Sequence, residues 1–189
     1  MQIFIDADAF PNGVRDILIK ASLRLNIPLI FVANKPLRLE KLAHLSLILV
    51  PEGPDVADDR IAQLVQPGDL VITADIPLAD RVVAENAFAM NPRGMLYTEH
   101  NIKDRLAMRD LLGELRDNGT ITGGPAAFSK KDRRAFANQL DRFLVRQLKI
   151  EKSSLHLRKE KPLLCSHLPH YHLYLMIPPS IHHYLLACP

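Results

Sequence analysis

Cysteine is nearly absent from this chain, and its placement is more telling than its count. The two cysteines, Cys165 and Cys188, both lie near the C-terminus, and residues 1–150 contain none. No disulfide framework can therefore support the N-terminal part. No apolar run reaches the roughly 18 residues that cross a bilayer, so no membrane span is expected. Charge of one sign is also missing: the formal net charge is +3, too small by itself to indicate a nucleic-acid binder. No internal repeat is visible. The N-terminus is acidic by residue 6 and reads as a core strand rather than a leader. A cytosolic location is the expectation.

What is present is 189 residues with 48% hydrophobic content, enough for one domain with a proper core and an appendage. The opening stretch Gln2-Ile-Phe-Ile-Asp-Ala-Asp-Ala-Phe-Pro11 organises the rest. Ile3, Phe4 and Ile5 predict a short buried strand. The strand ends in two carboxylates, Asp6 and Asp8, and Pro11 suits the first turn of a helix. In open parallel sheets, ligands bind beyond the carboxyl ends of the strands. An Asp-x-Asp pair there can hold Mg²⁺ or Mn²⁺ through oxygen. The plainer reading makes Asp8 a helix cap and Asp6 a hydrogen-bonded strand end.

Strands then alternate with helices. A helix is predicted over Val14–Asn26 and a strand over Leu29–Ala33. A polar connection or short helix follows over Asn34–Leu45, then a strand over Leu47–Val50. A second helix runs from Asp55, as N-cap, to Gln66. A strand over Leu70–Thr73, a helix over Pro77–Asn86 and a short strand over Ala87–Met90 come next. Two more helices are predicted over Thr98–Asp117 and Ser129 to about Lys149. The first carries Ile102, Leu106, Leu111, Leu112 and Leu115; the second is opened by Ser129 with Asp132. With few hairpin signals, this pattern predicts an α/β fold with a mostly parallel sheet flanked by helices.

Residues 151–189 differ in composition. They hold six of the eight histidines, both cysteines and five prolines, with no glycine. The stretch lacks Cys-x-x-Cys, and its histidine spacings match no standard zinc site. It reads as an irregular, poorly ordered extension irrelevant to the core activity.

More carboxylates fall at the same predicted sheet edge: Asp55, Asp58 and Asp59 beyond the third strand, Asp75 at the end of the fourth, and Asp80 in the helix after it. Gathered on one edge, such carboxylates repel one another unless a cation neutralises them. The plainer reading is a cap for Asp55, a surface residue for Asp59 and a helix-face charge for Asp80. Two loops could hold an anion nearby. Asn91-Pro-Arg-Gly94 carries Arg93 at its tip, and Thr122-Gly-Gly-Pro125 offers the backbone amides of Gly123 and Gly124. Arg109 is either a phosphate clamp or half of an ion pair with Asp110. Lys130, Lys131, Arg133 and Arg134 form a small basic patch, either a solvated face or a track for a phosphate backbone.

Together, Asp-Ala-Asp-Ala-x-Pro, Asp-Val-Ala-Asp, Gly-Asp-Leu-Val-Ile-Thr-Ala-Asp-Ile-Pro-Leu-Ala, Asn-Pro-Arg-Gly, Arg-x-x-Met-Arg-Asp and Thr-Gly-Gly-Pro resemble the bacterial YaiI/YqxD family of uncharacterised proteins, from Met1 to about Leu148. That family is grouped with PIN-like nuclease folds. The resemblance implies a Rossmann-like sheet with carboxylates around Mg²⁺ or Mn²⁺, and Asp6, Asp8, Asp58 and Asp75 match the acidic motifs. Asp59 and Asp80 follow two of those motifs. The chain departs from the family at Phe10, where the family usually has cysteine, and in the stretch after Leu148.

The first functional expectation is a metal-dependent phosphodiesterase acting on RNA. Asp6, Asp8 and Asp75 would be catalytic; Asp6, Asp58, Asp59, Asp75 and Asp80 would be metal-binding; Arg93, Arg109, Gly123 and Gly124 would hold phosphate. One alternative is a non-catalytic module that binds RNA or a protein. The other is a haloacid-dehalogenase-like phosphatase with Asp6 as nucleophile and Asp8 as acid/base. The motifs after the first strand fit that last reading badly, because Gly68-Asp69 precedes its strand.

Overall fold

The computed structural model describes residues 1–7, 10–39, 42–119 and 126–159, and for Asn12, Glu151, Lys152 and residues 154–159 the backbone alone. Among these residues the chain runs β1 (Ile3–Asp6), α1 (Asn12–Leu25), β2 (Leu29–Ala33), β3 (Leu45–Leu49), α2 (Val56–Leu64), β4 (Leu70–Ile72), α3 (Ile76–Ala84), β5 (Phe88–Met90), β6 (Leu96–Tyr97), α4 (Glu99–Asp117) and α5 (Lys130–Lys159). The six strands form one sheet in the order β3-β2-β1-β4-β5-β6. All pairings are parallel except β5 with β6. This is the mostly parallel α/β architecture expected. Residues 1–149 form one compact unit.

The sheet is buried on both faces, which is why its strands read as nearly continuous apolar runs. Ile3, Ile5, Leu70 and Ile72 point to one side, where α1 and α5 supply Val14, Leu18, Phe136, Leu140 and Leu144. Phe4, Val32 and Val71 point to the other, against Ile61 of α2, Leu78, Ala79 and Val82 of α3, and Ile102 of α4. Strand alternation therefore places Asp6 and Thr73, each two residues beyond Phe4 and Val71, on the α2–α3 side.

The order of strands creates the site's location. The chain builds outward from β1 through β2 to β3, then α2 carries it back to β4 on the other flank of β1. That reversal leaves a crevice between the carboxyl ends of β1 and β4.

Several elements differ from expectation. The connection before β3 is not helical over residues 34–39 and 42–44. β6 is a two-residue strand that alternation cannot flag; the Asn91–Gly94 turn makes it, closed by Gly94 N–H donating to Asn91 O at 2.8 Å. α5 continues ten residues past the expected end near Lys149, so the compositionally distinct stretch begins as helix. The expected disorder of that stretch concerns residues that otherwise lie outside the described ones. In α4 only Ile102 of the expected apolar stripe is buried, while Leu111 and Leu112 are exposed. Periodicity marks the stripe but not whether anything covers it.

Candidate functional site

The crevice between β1 and β4 is built around Asp6. This residue ends β1 and is buried at 8% exposure. An ionised carboxylate so placed needs hydrogen-bond donors. Thr73, fully buried just past β4, supplies one: its Oγ1 donates to Asp6 Oδ2 at 2.9 Å. The same oxygen accepts from the backbone N–H of Asp75 at 2.9 Å. Thr73 thus fixes both strand ends to each other. Sequence alone does not single out Thr73, although the Thr-Ala-Asp run at the end of an apolar strand is a signal for it.

Asp75 is the N-cap of α3. Its Oδ2 accepts from Leu78 N–H at 2.8 Å, and its extended backbone (φ −78°, ψ 122°) and a proline in the first turn complete the cap. One oxygen is thereby tied to the helix. Asp55 holds the corresponding position before α2, yet its side chain makes no cap bond, contrary to the expected role. Its backbone is left-handed (φ 57°), an uncommon state for a residue with a side chain.

Asp58, in the first turn of α2, faces this group. Burial pushes its pKa up, and the charges of Asp6, Asp75 and Asp55 push it further, to about 6, against a smaller opposing effect of Arg81. The carboxylates of Asp6, Asp55 and Asp75 thus lie within electrostatic reach of Asp58. Asp6, Asp58 and Asp75 are the expected site residues that the fold brings together.

The others have different surroundings. Asp59 pairs with Arg81 at 2.8 Å, both side chains about half exposed. Asp80 is held by Lys103 Nζ, which donates to its two oxygens at 2.8 and 3.0 Å. Arg93 does not point free from its turn. Its Nη1 donates to Asp132 Oδ2 at 2.8 Å, and its Nη2 donates to the Ala126 carbonyl. Beside it, Gly94 (φ +87°) lies against the backbone of α5; a Cβ there would sit 2.8 Å from the carbonyl of Ala135. The Asn-Pro-Arg-Gly turn therefore docks α5 onto the sheet. Arg109 is paired with its neighbour Asp110 at 2.9 Å on an exposed face of α4. Asp8, Gly123 and Gly124 lie outside the described residues.

The basic patch, by contrast, comes close to the carboxyl edge. A Cβ at Gly13, in the first turn of α1, would lie 3.5 Å from Phe128 and 3.8 Å from Arg133. The start of α5, with exposed Lys130, Lys131, Arg133 and Arg134, is thus adjacent to the helix that follows the β1 acidic segment. A groove of about 290 Å³ between α1 and α5, lined by Ile17, Lys20, Arg24, Leu140, Asp141 and Leu144, lies elsewhere and includes none of Asp6, Asp55, Asp58 and Asp75.

Whether this donor set suits a metal can be judged on its chemistry. Among the described residues, no three His, Cys, Asp or Glu side chains are arranged closely enough to hold an ion. Asp6, Asp58 and Asp75 nonetheless offer only oxygen, and a raised Asp58 pKa marks charge that a cation would relieve. Mg²⁺ keeps several waters and needs only one or two carboxylates. The donor type, though not a preformed cluster, is the one that a hard, partly hydrated divalent ion takes.

The chain matches the family model described as "Uncharacterized BCR, YaiI/YqxD family" over residues 4–146. It is 56% identical over 144 residues to a UPF0178 protein of Solidesulfovibrio magneticus, covering 76% of this chain and 96% of that one. It is 53% identical over 148 residues to the UPF0178 protein of Maridesulfovibrio salexigens (78% and 98%). It is also 53% identical over 146 residues to that of Acidithiobacillus ferrooxidans (77% and 99%). No solved structure matches. No helix among the described residues is long and apolar enough to cross a membrane. On a match spanning most of its length, from the acidic opening to α5, the chain belongs to the YaiI/YqxD family.

Proposed function

We propose that the protein is a metal-dependent phosphodiesterase acting on RNA, with Mg²⁺ or Mn²⁺ at the carboxyl ends of β1 and β4. The observation that carries this reading is the convergence of Asp6, Asp58 and Asp75 at the crevice, with Asp58 raised to about 6 by burial and by its neighbours. Three carboxylates in mutual repulsion are costly to hold without a cation. A bound ion would supply Lewis acidity toward a phosphoryl oxygen.

The chain's own groups have separable roles. Thr73 donates to one oxygen of Asp6, which fixes the carboxylate plane. The Leu78 N–H holds Asp75 in the same way. Asp58, with a pKa of about 6, can accept or release a proton near neutrality, as a general base should. The basic start of α5 next to α1 offers a surface for a phosphate backbone. Asp8 belongs to this proposal through its place in the first motif. Arg93 and Asp59 are assigned no catalytic role, because their ion pairs already account for them.

The experiment is cleavage of a panel of single-stranded and structured RNAs with Mg²⁺ or Mn²⁺. Cleavage that Asp6→Asn and Asp75→Asn abolish supports the proposal. Salt-sensitive RNA binding that needs no metal and survives both substitutions would replace it with a binding module.

A further inference from the structure

Among the described residues, β3 is an edge strand, paired with β2 alone. Its sequence is Leu45-Ser-Leu-Ile-Leu49, and no Asp, Glu, Lys or Arg occurs from His44 to Pro51. Edge strands usually carry a charge, a proline or a bulge that discourages further pairing. None interrupts Leu45–Leu49. Leu49 is 56% exposed, the highest value among the exposed large hydrophobic residues described.

The direction of its backbone groups can be read from the ladder. Leu29 N–H donates to His44 O at 2.8 Å, and Val50 N–H donates to Ala33 O at 3.0 Å. Even-numbered residues therefore turn their backbone groups toward β2, and alternation turns those of Leu45, Leu47 and Leu49 outward. The Leu45 N–H is already used, donating to Leu42 O at 3.0 Å. Among the described residues, that leaves the Leu47 and Leu49 N–H groups and the carbonyls of Leu45, Leu47 and Leu49 along the open edge.

This set is self-complementary. In an antiparallel pairing centred on Leu47, each Leu47 N–H donates to Leu47 O of a second copy, and each Leu49 N–H donates to Leu45 O. The same register places Leu49 across from Leu45, joining the leucines of both copies into one apolar row on the α1–α5 side of the sheet. Ser46 falls across from Ile48, so no like charges meet. We infer that β3 pairs antiparallel with β3 of a second copy of this chain, continuing the sheet across a two-fold axis.

Five residues a side bury less than the roughly 1,200–2,000 Å² typical of stable complexes. The dimer is therefore weak, and its population depends on concentration. Antiparallel pairing places the acidic crevices of the two copies on opposite edges of the extended sheet, and the pairing does not depend on their activity.

Sedimentation of the full chain across concentrations tests the inference. The expected result is a reversible monomer–dimer equilibrium, weakened at least about tenfold by Leu49→Lys, since a charge at an edge opposes pairing. Leu49→Pro, which removes the outward N–H at an exposed position, should weaken it likewise. Leu23→Lys on α1 and Met108→Lys on α4, both at exposed residues, should leave it unchanged, and thermal melts verify folding of each variant. In hydrogen exchange of the unaltered chain, the Leu47 and Leu49 amides should become protected as concentration rises. A monomer at every concentration, a dimer that both Leu49 variants retain, or equal loss in the α1 or α4 variant would overturn it.

Discussion

Asp69 and Asp6 lie at opposite ends of the two central strands, and both are buried, at 4% and 8% exposure. Asp69 precedes β4 at the amino edge. Its Oδ1 accepts from Gln2 N–H at 2.7 Å and its Oδ2 from Gln66 N–H at 3.1 Å, so both oxygens are used by backbone. Asp6 ends β1 at the carboxyl edge, where its Oδ2 accepts from the Thr73 hydroxyl and its neighbours include Asp58 and Asp75. One edge spends its carboxylate on holding the chain together. The other collects negative charge. A burial pattern alone would rank the two residues equally; the kind of donor and the sign of the neighbours separate structure from site.

Asp69 and the carboxylates of the other edge differ most under substitution. Asp69→Ala should cost about 2–4 kcal/mol, because two backbone N–H groups lose their acceptor in a buried setting. Chemical denaturation would show it, with divalent-metal affinity unchanged in the protein that remains folded. Gly94→Ala should cost at least about 2 kcal/mol by the same measurement, since the position needs φ > 0 and the new methyl meets the backbone of α5. Asp75→Ala should lose about 1 kcal/mol from the α3 cap, and, unlike Asp69→Ala, should also lose metal binding.

Asp58 sharpens the contrast through pH. Its folded pKa lies above the ordinary 3.8, at about 6. Between those values the folded state binds more protons than the unfolded state, so this group lowers stability as pH rises through the window. Asp58→Asn should therefore raise the melting temperature at pH 7 relative to the unaltered chain and bring the two together near pH 4. Adding Mn²⁺ at pH 7 should narrow the same gap from the other side. The smallest effect belongs to Asp59→Asn. Its exposed pair with Arg81 should contribute under about 1 kcal/mol.

Much of this was legible before the fold was seen. Apolar runs separated by amphipathic helices gave the parallel sheet, and short carboxylate motifs after those runs pointed to its carboxyl edge. Asp6, Asp58 and Asp75 could be named because parallel strands put their ends together whatever the loops do. Side-chain partners distant in sequence were not legible. Arg93 reads as a free cation at a turn until α5, 39 residues on, presents Asp132. Asp80 reads as part of the acidic set until Lys103 of α4 reaches it. The exposed leucines of α4 mark a further limit, since a helical period records amphipathicity and not the presence of a covering surface. Thr73 was hidden for another reason: it titrates nothing, and its importance appears only once β1 and β4 are neighbours.

Under the proposed function, the carboxyl edge is a divalent-metal site and the amino edge is scaffold. Calorimetric titration of Mn²⁺ into the full chain, beside Asp6→Asn and Asp75→Asn, tests this most directly. The account predicts saturable binding in the unaltered chain and its loss in both variants, each still folded. Absence of binding at millimolar Mn²⁺, or binding that survives both substitutions, would contradict it.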